Sequence, residues 1–94
     1  MKYIKFKKNN LCVEKISAIK LAKIYKTPFY CYSLLELKKN FFDFKNSFND
    51  IEPLVCFSVK SNSNLTLLKE LGKMGSGADV VSVGELLKAI RAGI

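Results

Sequence analysis

The sequence predicts an α/β protein in which a β-hairpin precedes a series of alternating strands and helices. Two observations lead to this prediction. Residues 3–14 alternate between apolar and polar side chains around the turn-forming string Lys8-Asn9-Asn10. From residue 53 onward, short apolar segments alternate with helical patterns. Strand, helix, strand, helix with short connections is the repeating unit of a parallel barrel or of a doubly wound sheet.

The amino-terminal hairpin comprises residues 3–7 and 11–14, whose period-2 alternation is typical of strands. Asparagine tolerates the left-handed backbone of tight turns, so Asn9 and Asn10 favour a turn between the two strands. A lone hairpin of two strands is barely stable in water. The hairpin is therefore expected to pack against another part of a protein.

Two helices and one strand are predicted between the hairpin and residue 50. Ser17 can cap a short helix with an apolar face, which ends before Pro28 because the residue preceding a proline disfavours helix. The aromatic segment 29–32 predicts a strand. Ser33 and Glu36 have capping-box spacing. The long helix behind them carries an apolar stripe that predicts a core-facing side: Leu34, Leu37, Phe41, Phe44 and Phe48.

The first βα unit of the second half begins with residues 53–60. This segment is apolar on both faces until its end, which predicts a strand covered on both sides in a parallel sheet. Ser63 or Asn64 can cap the helix that follows, and Gly75 can end it in the left-handed conformation. The apolar side of that helix comprises Leu67, Leu68, Leu71 and Met74.

The second βα unit begins with residues 78–82, which predict another short buried strand. Ser82 and Glu85 repeat the capping-box spacing at the start of the last helix. We expect the apolar side of this helix to be Leu86, Leu87, Ile90 and Ile94.

Lys60 is the candidate catalytic residue, because it ends the apolar strand 53–60 and polar residues follow it at once. A lysine withdrawn from water loses its proton more readily and can attack an aldehyde. The simpler interpretation is that the strand reaches solvent at Lys60. A strand followed by a lysine is not a specific motif, so the local pattern alone favours that simpler interpretation.

Composition narrows the functional classes. The chain has no histidine, which removes Ser-His and Cys-His nucleophile pairs and histidine-containing metal sites. Its three cysteines, Cys12, Cys31 and Cys56, have no CxxC spacing and are expected to be reduced and buried, so no metal site is predicted. No apolar run approaches the ~20 residues that cross a bilayer, so a cytoplasmic location is expected.

The formal charge of +8 leaves a basic nucleic-acid-binding module as an alternative. All but one of the sixteen cations are lysines, however, and they are scattered over several elements. Arginine, whose guanidinium group forms bidentate hydrogen bonds with guanine or phosphate, is nearly absent. A solvated, lysine-rich surface is the better interpretation, so nucleic acid is not the expected partner.

Three strings in order resemble a known family. CFSVKSNSN at residues 56–64 is similar to the segment that carries the cofactor lysine in fold-type III pyridoxal-phosphate-dependent decarboxylases. TPFYCYS at residues 27–33 and GSGADVVSVGEL at residues 75–86 resemble segments of the diaminopimelate decarboxylases within that group. Val83 departs from the family's frequent glycine, and Ser58 and Ser61 stand where alanine is common.

The resemblance implies a fold and a site. The expected fold is the amino-terminal, incomplete part of a pyridoxal-phosphate-binding (β/α)8 barrel at residues 17–94, preceded by a hairpin at residues 1–16 that belongs to a separate β domain. Lys60 would bind pyridoxal 5'-phosphate covalently, and Asp79 would lie beside the cofactor. Glu85 also matches the family, but its capping-box position explains it equally well.

The implied reaction is decarboxylation of meso-diaminopimelate to lysine, with the amino-acid substrate as small-molecule partner and a homodimer as the full-length assembly. Segments that bind the cofactor phosphate and complete the site lie downstream in the family. The chain is therefore expected to be an amino-terminal fragment, inactive alone, that could assemble with a separately encoded carboxyl-terminal half. A related ornithine, arginine or carboxynorspermidine decarboxylase is the alternative.

Overall fold

The computed structural model describes all 94 residues. The chain divides into two compact units, Met1–Asn40 and Phe41–Ile94.

The first unit begins with a small antiparallel sheet of three strands, β1 (Ile4–Lys7), β2 (Asn10–Val13) and β3 (Ile16–Ser17). The predicted hairpin is confirmed, because β1 pairs with β2 in antiparallel register. Lys8 and Asn9 adopt φ angles of 49° and 66° between the two strands. A type I′ hairpin turn requires this left-handed backbone at both central residues. Asn10, also expected in the turn, is the first residue of β2. Strand β3 was not predicted, since its two residues are too few to show a pattern.

Helix α1 (Ala18–Tyr25) follows the sheet directly. The predicted cap is confirmed, because Ser17 Oγ accepts a hydrogen bond from the Lys20 N–H at 3.1 Å. The prediction of a strand at residues 29–32 is wrong, because a strand requires a hydrogen-bonded neighbour and this exposed segment pairs with none. The Tyr30 and Tyr32 rings stack at 6.4 Å on one side of it.

Helix α2 (Leu34–Asn46) begins at the predicted cap, with Ser33 Oγ accepting the Glu36 N–H at 3.0 Å. The Glu36 carboxylate accepts a hydrogen bond from the Tyr3 N–H at 2.7 Å. This long-range bond replaces the return bond to the cap residue that a capping box contains. Glu36 therefore joins α2 to the start of the chain within the first unit.

The predicted apolar stripe of α2 is only partly buried. Phe41 is buried, whereas Phe44 is 57% exposed and Phe48 lies beyond the end of the helix. The Phe44 and Phe48 rings pack edge to face at 5.5 Å. Spacing identified one face of the helix but not how much of that face another element covers.

The second unit contains a parallel pair of strands, β4 (Cys56–Ser58) and β5 (Gly77–Asp79), and two helices, α3 (Leu65–Lys73) and α4 (Val83–Ala92). The predicted strands 53–60 and 78–82 are too long, and neither is covered on both sides. Leu54 is 74% exposed and Val81 is 66% exposed. Strand length depends on backbone partners, and the parallel register pairs only three residues of each strand.

Helix α3 agrees with its prediction. Asn64 is the cap, with Oδ1 accepting the Thr66 and Leu67 N–H groups at 2.9 and 3.3 Å. Gly75 follows the helix with φ of 89°. The buried apolar side chains of the unit come from the carboxyl-terminal part of α2, from the turn after β4, from α3 and from α4: Phe41, Val59, Leu67, Leu68, Leu71, Ala89 and Ala92.

Helix α4 packs on α3, but the predicted apolar side of α4 is wrong. Ala89 and Ala92 are buried, whereas Leu86, Leu87 and Ile90 are 46%, 60% and 61% exposed. Small alanine side chains allow close packing of helices, so the larger residues lie on the other face. The cap is confirmed, with Ser82 Oγ accepting the Glu85 N–H at 3.1 Å.

The cysteines are all free thiols, but only Cys12 is buried. The expectation of three buried cysteines is wrong for Cys31 and Cys56, which lie in segments that lack a covering layer. None of the helices has the length and apolar character needed to cross a membrane.

Candidate functional site

The carboxyl ends of β4 and β5 lie at one edge of the parallel pair and carry both residues predicted for the site. Lys60 lies in a 3₁₀ turn (Val59–Ser61) directly after β4. Asp79 is the last residue of β5, where the register pairs it with Ser58. Both side chains are exposed.

An open cleft of about 350 Å³ lies beside Lys60. The 3₁₀ turn, the loop after it and the first turns of α4 form its walls, through Val59, Lys60, Ser63, Ser82, Gly84, Glu85 and Lys88. Asp79 is not among these residues, so the structure brings the two predicted site residues to one edge but not to one cleft.

The side chain of Lys60 is exposed, as the simpler interpretation of the local pattern predicts, and its amine is not withdrawn from water. The neighbouring residue explains this exposure, because Val59 is fully buried and turns toward the core. Lys60 then turns outward, and its Nζ forms no hydrogen bond or ion pair.

The polar segment after Lys60 is held by local hydrogen bonds. Ser61 Oγ donates to the Ser58 carbonyl at 2.5 Å, and the Asn62 N–H donates to the Val59 carbonyl at 3.1 Å. Asn62 Oδ1 in turn accepts the Asn64 N–H at 3.1 Å. Two of these bonds use Ser and Asn side chains, which readily bond to the nearby backbone, and together with the backbone bond of Asn62 they give the turn around Lys60 a defined shape.

Ser63 and Lys88 line the cleft but were not predicted as site residues. Lys88 Nζ donates a hydrogen bond to Ser63 Oγ at 3.2 Å, which joins α4 to the loop after Lys60. Helical spacing could have identified Lys88, since it lies three and four residues after Glu85 and Gly84 on the same side of α4. The sequence pattern identifies Ser63 only as a possible cap residue of α3.

Glu85 performs the capping role in altered form. Its Oε1 accepts the Val81 N–H at 3.2 Å, one residue before the cap residue. The same side chain lines the cleft, opposite in charge to Lys60 and Lys88.

The comparison with known proteins defines the class of this chain. Residues 34–94 match the family of pyridoxal-dependent decarboxylases, in the part described as the pyridoxal binding domain. The chain therefore belongs to this family of carboxy-lyases, as the resemblance of its strings indicates.

Similar curated proteins narrow the class further. The chain is 46% identical over 74 residues to a diaminopimelate decarboxylase of Helicobacter pylori, covering 79% of this chain and 18% of that protein. It is 41% identical over 92 residues to a diaminopimelate decarboxylase of Aquifex aeolicus, and the match covers 98% of this chain and 21% of that protein. The chain thus spans about a fifth of the length of these relatives.

Solved structures agree. A protein of Aquifex aeolicus superposes with a TM-score of 0.91 at 41% identity, over 99% of this chain and 23% of that chain. Diaminopimelate decarboxylase from M. jannaschii superposes with a TM-score of 0.89 at 30% identity, and the match covers 99% of this chain and 23% of that chain. The Helicobacter pylori diaminopimelate decarboxylase complexed with L-lysine superposes with a TM-score of 0.76 at 42% identity, and the match covers 81% of this chain and 19% of that chain.

Family membership implies pyridoxal phosphate as the cofactor, and the chemistry of the cleft fits that molecule. An exposed primary amine without a partner can condense with an aldehyde. Lys88 and the hydroxyls of Ser63 and Ser82 are donors that suit an anionic ligand.

Proposed function

We propose that this chain supplies the lysine-bearing part of a diaminopimelate decarboxylase, which converts meso-diaminopimelate to lysine and carbon dioxide. The observation that carries the proposal is the position of Lys60. Its amine is free and exposed directly after a parallel strand, at a cleft with cationic and hydroxyl donors. The identity to diaminopimelate decarboxylases supports this substrate over ornithine or arginine.

In the proposed site, Lys60 would hold pyridoxal phosphate through Nζ, at the cleft that its side chain lines. Bound pyridoxal phosphate supplies the electron sink that lets the α-carboxyl leave as carbon dioxide. Asp79, at the end of the adjacent strand, would influence protonation around the cofactor.

The proposed fold places residues 17–94 in an eight-stranded barrel and residues 1–16 in a separate β domain. The uncovered side of α4 supports the barrel, because Val83, Leu86, Leu87 and Ile90 recur at three and four residues and are all exposed. A parallel sheet is normally covered on both faces, which in a barrel means helices outside and packed side chains inside, and it has further strands at its edges. The family resemblance underlies the associated proposal of a cytoplasmic homodimer.

A hybrid enzyme tests the proposed reaction. Residues 1–94 replace the corresponding segment of the Aquifex aeolicus diaminopimelate decarboxylase, and release of carbon dioxide from meso-diaminopimelate is measured. We expect the hybrid to be active. Lys60→Ala should inactivate it, because the amine is lost. Lys69→Ala should leave it active, because Lys69 is exposed on α3 and does not line the cleft. A folded hybrid that acts on ornithine or arginine but not on diaminopimelate would contradict the proposed substrate.

A further inference from the structure

We propose that Lys88 is a positioning residue for Lys60, acting through Ser63. The proposal rests on the proposed function, because it assigns a role around the same amine. The structural basis is the hydrogen bond from Lys88 Nζ to Ser63 Oγ at 3.2 Å, which joins residues 25 positions apart in the chain.

The loop after Lys60 needs such a contact because its other side-chain bonds are local. Those of Ser61, Asn62 and Asn64 all link residues two or three positions apart. Local bonds define the shape of a turn but do not hold it against the rest of the unit. The Lys88–Ser63 bond extends from α4, whose own position is determined by Ala89 and Ala92 packed against α3.

The location of Lys88 suits this role. Its side chain and that of Lys60 line the same cleft, so the anchoring cation lies beside the segment that carries the amine. The bond runs from an ammonium group to a neutral hydroxyl, and hydrogen bonds to charged groups are stronger than neutral ones. Lys88 thereby limits the directions that the Lys60 segment can take when an aldehyde enters the cleft.

Covalent capture of pyridoxal phosphate by the 94-residue chain tests the inference. The adduct is trapped with borohydride, and mass spectrometry of peptides measures the rate at Lys60 relative to Lys69 as internal reference. We expect Lys88→Ala and Ser63→Ala each to lower this ratio about fivefold, the effect of one lost hydrogen bond. The double variant falls no further, because both changes remove the same bond.

Two control variants separate positioning from general effects. Lys88→Arg retains a cationic donor and is expected to keep the ratio near that of the parent chain. Arg91→Ala removes an exposed cation from the same helix, outside the cleft, and is expected to change nothing. Alanine favours helix, so neither alanine variant of α4 should unfold it.

Hydrogen exchange provides a second readout that does not depend on the cofactor. We expect faster exchange at the amides of Asn62 and Asn64 in Lys88→Ala and Ser63→Ala, but not in Arg91→Ala. Unchanged exchange in the first two variants would overturn the inference. So would a ratio lowered by Lys88→Ala but not by Ser63→Ala, since Lys88 would then act directly on the ligand. A parent chain that labels Lys60 no faster than Lys69 would also overturn the inference, because no selectivity would then remain for Lys88 to support. The proposed function would still stand or fall by the activity of the hybrid enzyme.

Discussion

Glu36 illustrates how a single side chain connects distant parts of the first unit. The residue is only 8% exposed, and its carboxylate accepts a hydrogen bond from the Tyr3 N–H at 2.7 Å. Burying a carboxylate is costly unless it is hydrogen-bonded, and the amide of the first strand region supplies that bond. The residue therefore stabilises the sheet and the start of α2 together, and its loss affects both.

Replacement of Glu36 tests this connection. We expect Glu36→Ala to lower the free energy of unfolding by about 1.5–3 kcal/mol, the range for hydrogen bonds to charged groups, and to accelerate hydrogen exchange at the Tyr3 amide. Glu52→Ala is the matched control, because the Glu52 side chain is 89% exposed and its ion pair with Lys45 is 3.7 Å long. That control should change stability by less than about 0.5 kcal/mol. Equal effects of the two substitutions would show that burial of Glu36 is unimportant.

At the level of elements, the close approach of β4 and β5 depends on a glycine. A Cβ atom at Gly77 would lie 2.7 Å from Cys56 Sγ, on the residue that pairs with it in the parallel register. Gly84, at the start of α4, has more space, since the nearest atom to its Cβ would be 3.9 Å away. A side chain at residue 77 thus requires Cys56 Sγ to move from its present position.

Substitutions at these glycines give a direct comparison. We expect Gly77→Ala to lower the free energy of unfolding by about 1–2 kcal/mol through overpacking. In a Cys56→Ala background the same substitution should be neutral or slightly stabilising, because the clash is removed. Gly84→Ala should stabilise α4 by up to about 1 kcal/mol. Thermal unfolding followed by circular dichroism measures all three, and an equal cost of Gly77→Ala in both backgrounds would rule out the contact with Cys56.

At the level of the whole molecule, the apolar side chains on the surface are the main feature. Val83, Leu86, Leu87 and Ile90 form an exposed stripe along α4. The chain corresponds to about a fifth of its relatives, with a TM-score of 0.91 to one of them. Large exposed apolar patches are characteristic of interaction surfaces, and the proposed barrel would cover this stripe with its following strands and helices.

Two adjacent residues of α4 test whether the stripe is covered in a complete enzyme. In the 94-residue chain, Ile90→Lys should leave thermal stability unchanged and reduce self-association, because Ile90 is 61% exposed. Ala89→Lys should unfold the second unit, because Ala89 is buried against α3. In the hybrid with the Aquifex aeolicus enzyme, both should destabilise by about 2 kcal/mol or more, since each would then bury an unpaired charge. A hybrid that tolerates Ile90→Lys would contradict the barrel proposal.

Local chemistry was sufficient to identify the helix starts, the turn of the hairpin and the end of α3. The capping roles of Ser17, Ser33 and Ser82 were predicted correctly. The sequence offers both Ser63 and Asn64 as caps of α3, and the structure selects Asn64. These features follow from bonds between residues two to four positions apart, which the order of residues alone specifies. The three strings of the family are likewise a property of the order of residues.

The lengths of β4 and β5 and the buried face of α4 required the folded chain. Each depends on which distant segment covers a residue. The Lys88–Ser63 hydrogen bond at the cleft joins residues 25 positions apart, and no sequence motif predicts that these two residues are in contact. Spacing along a helix defines faces, but only packing selects which face is buried, because burial is a property of two surfaces and the sequence pattern describes one.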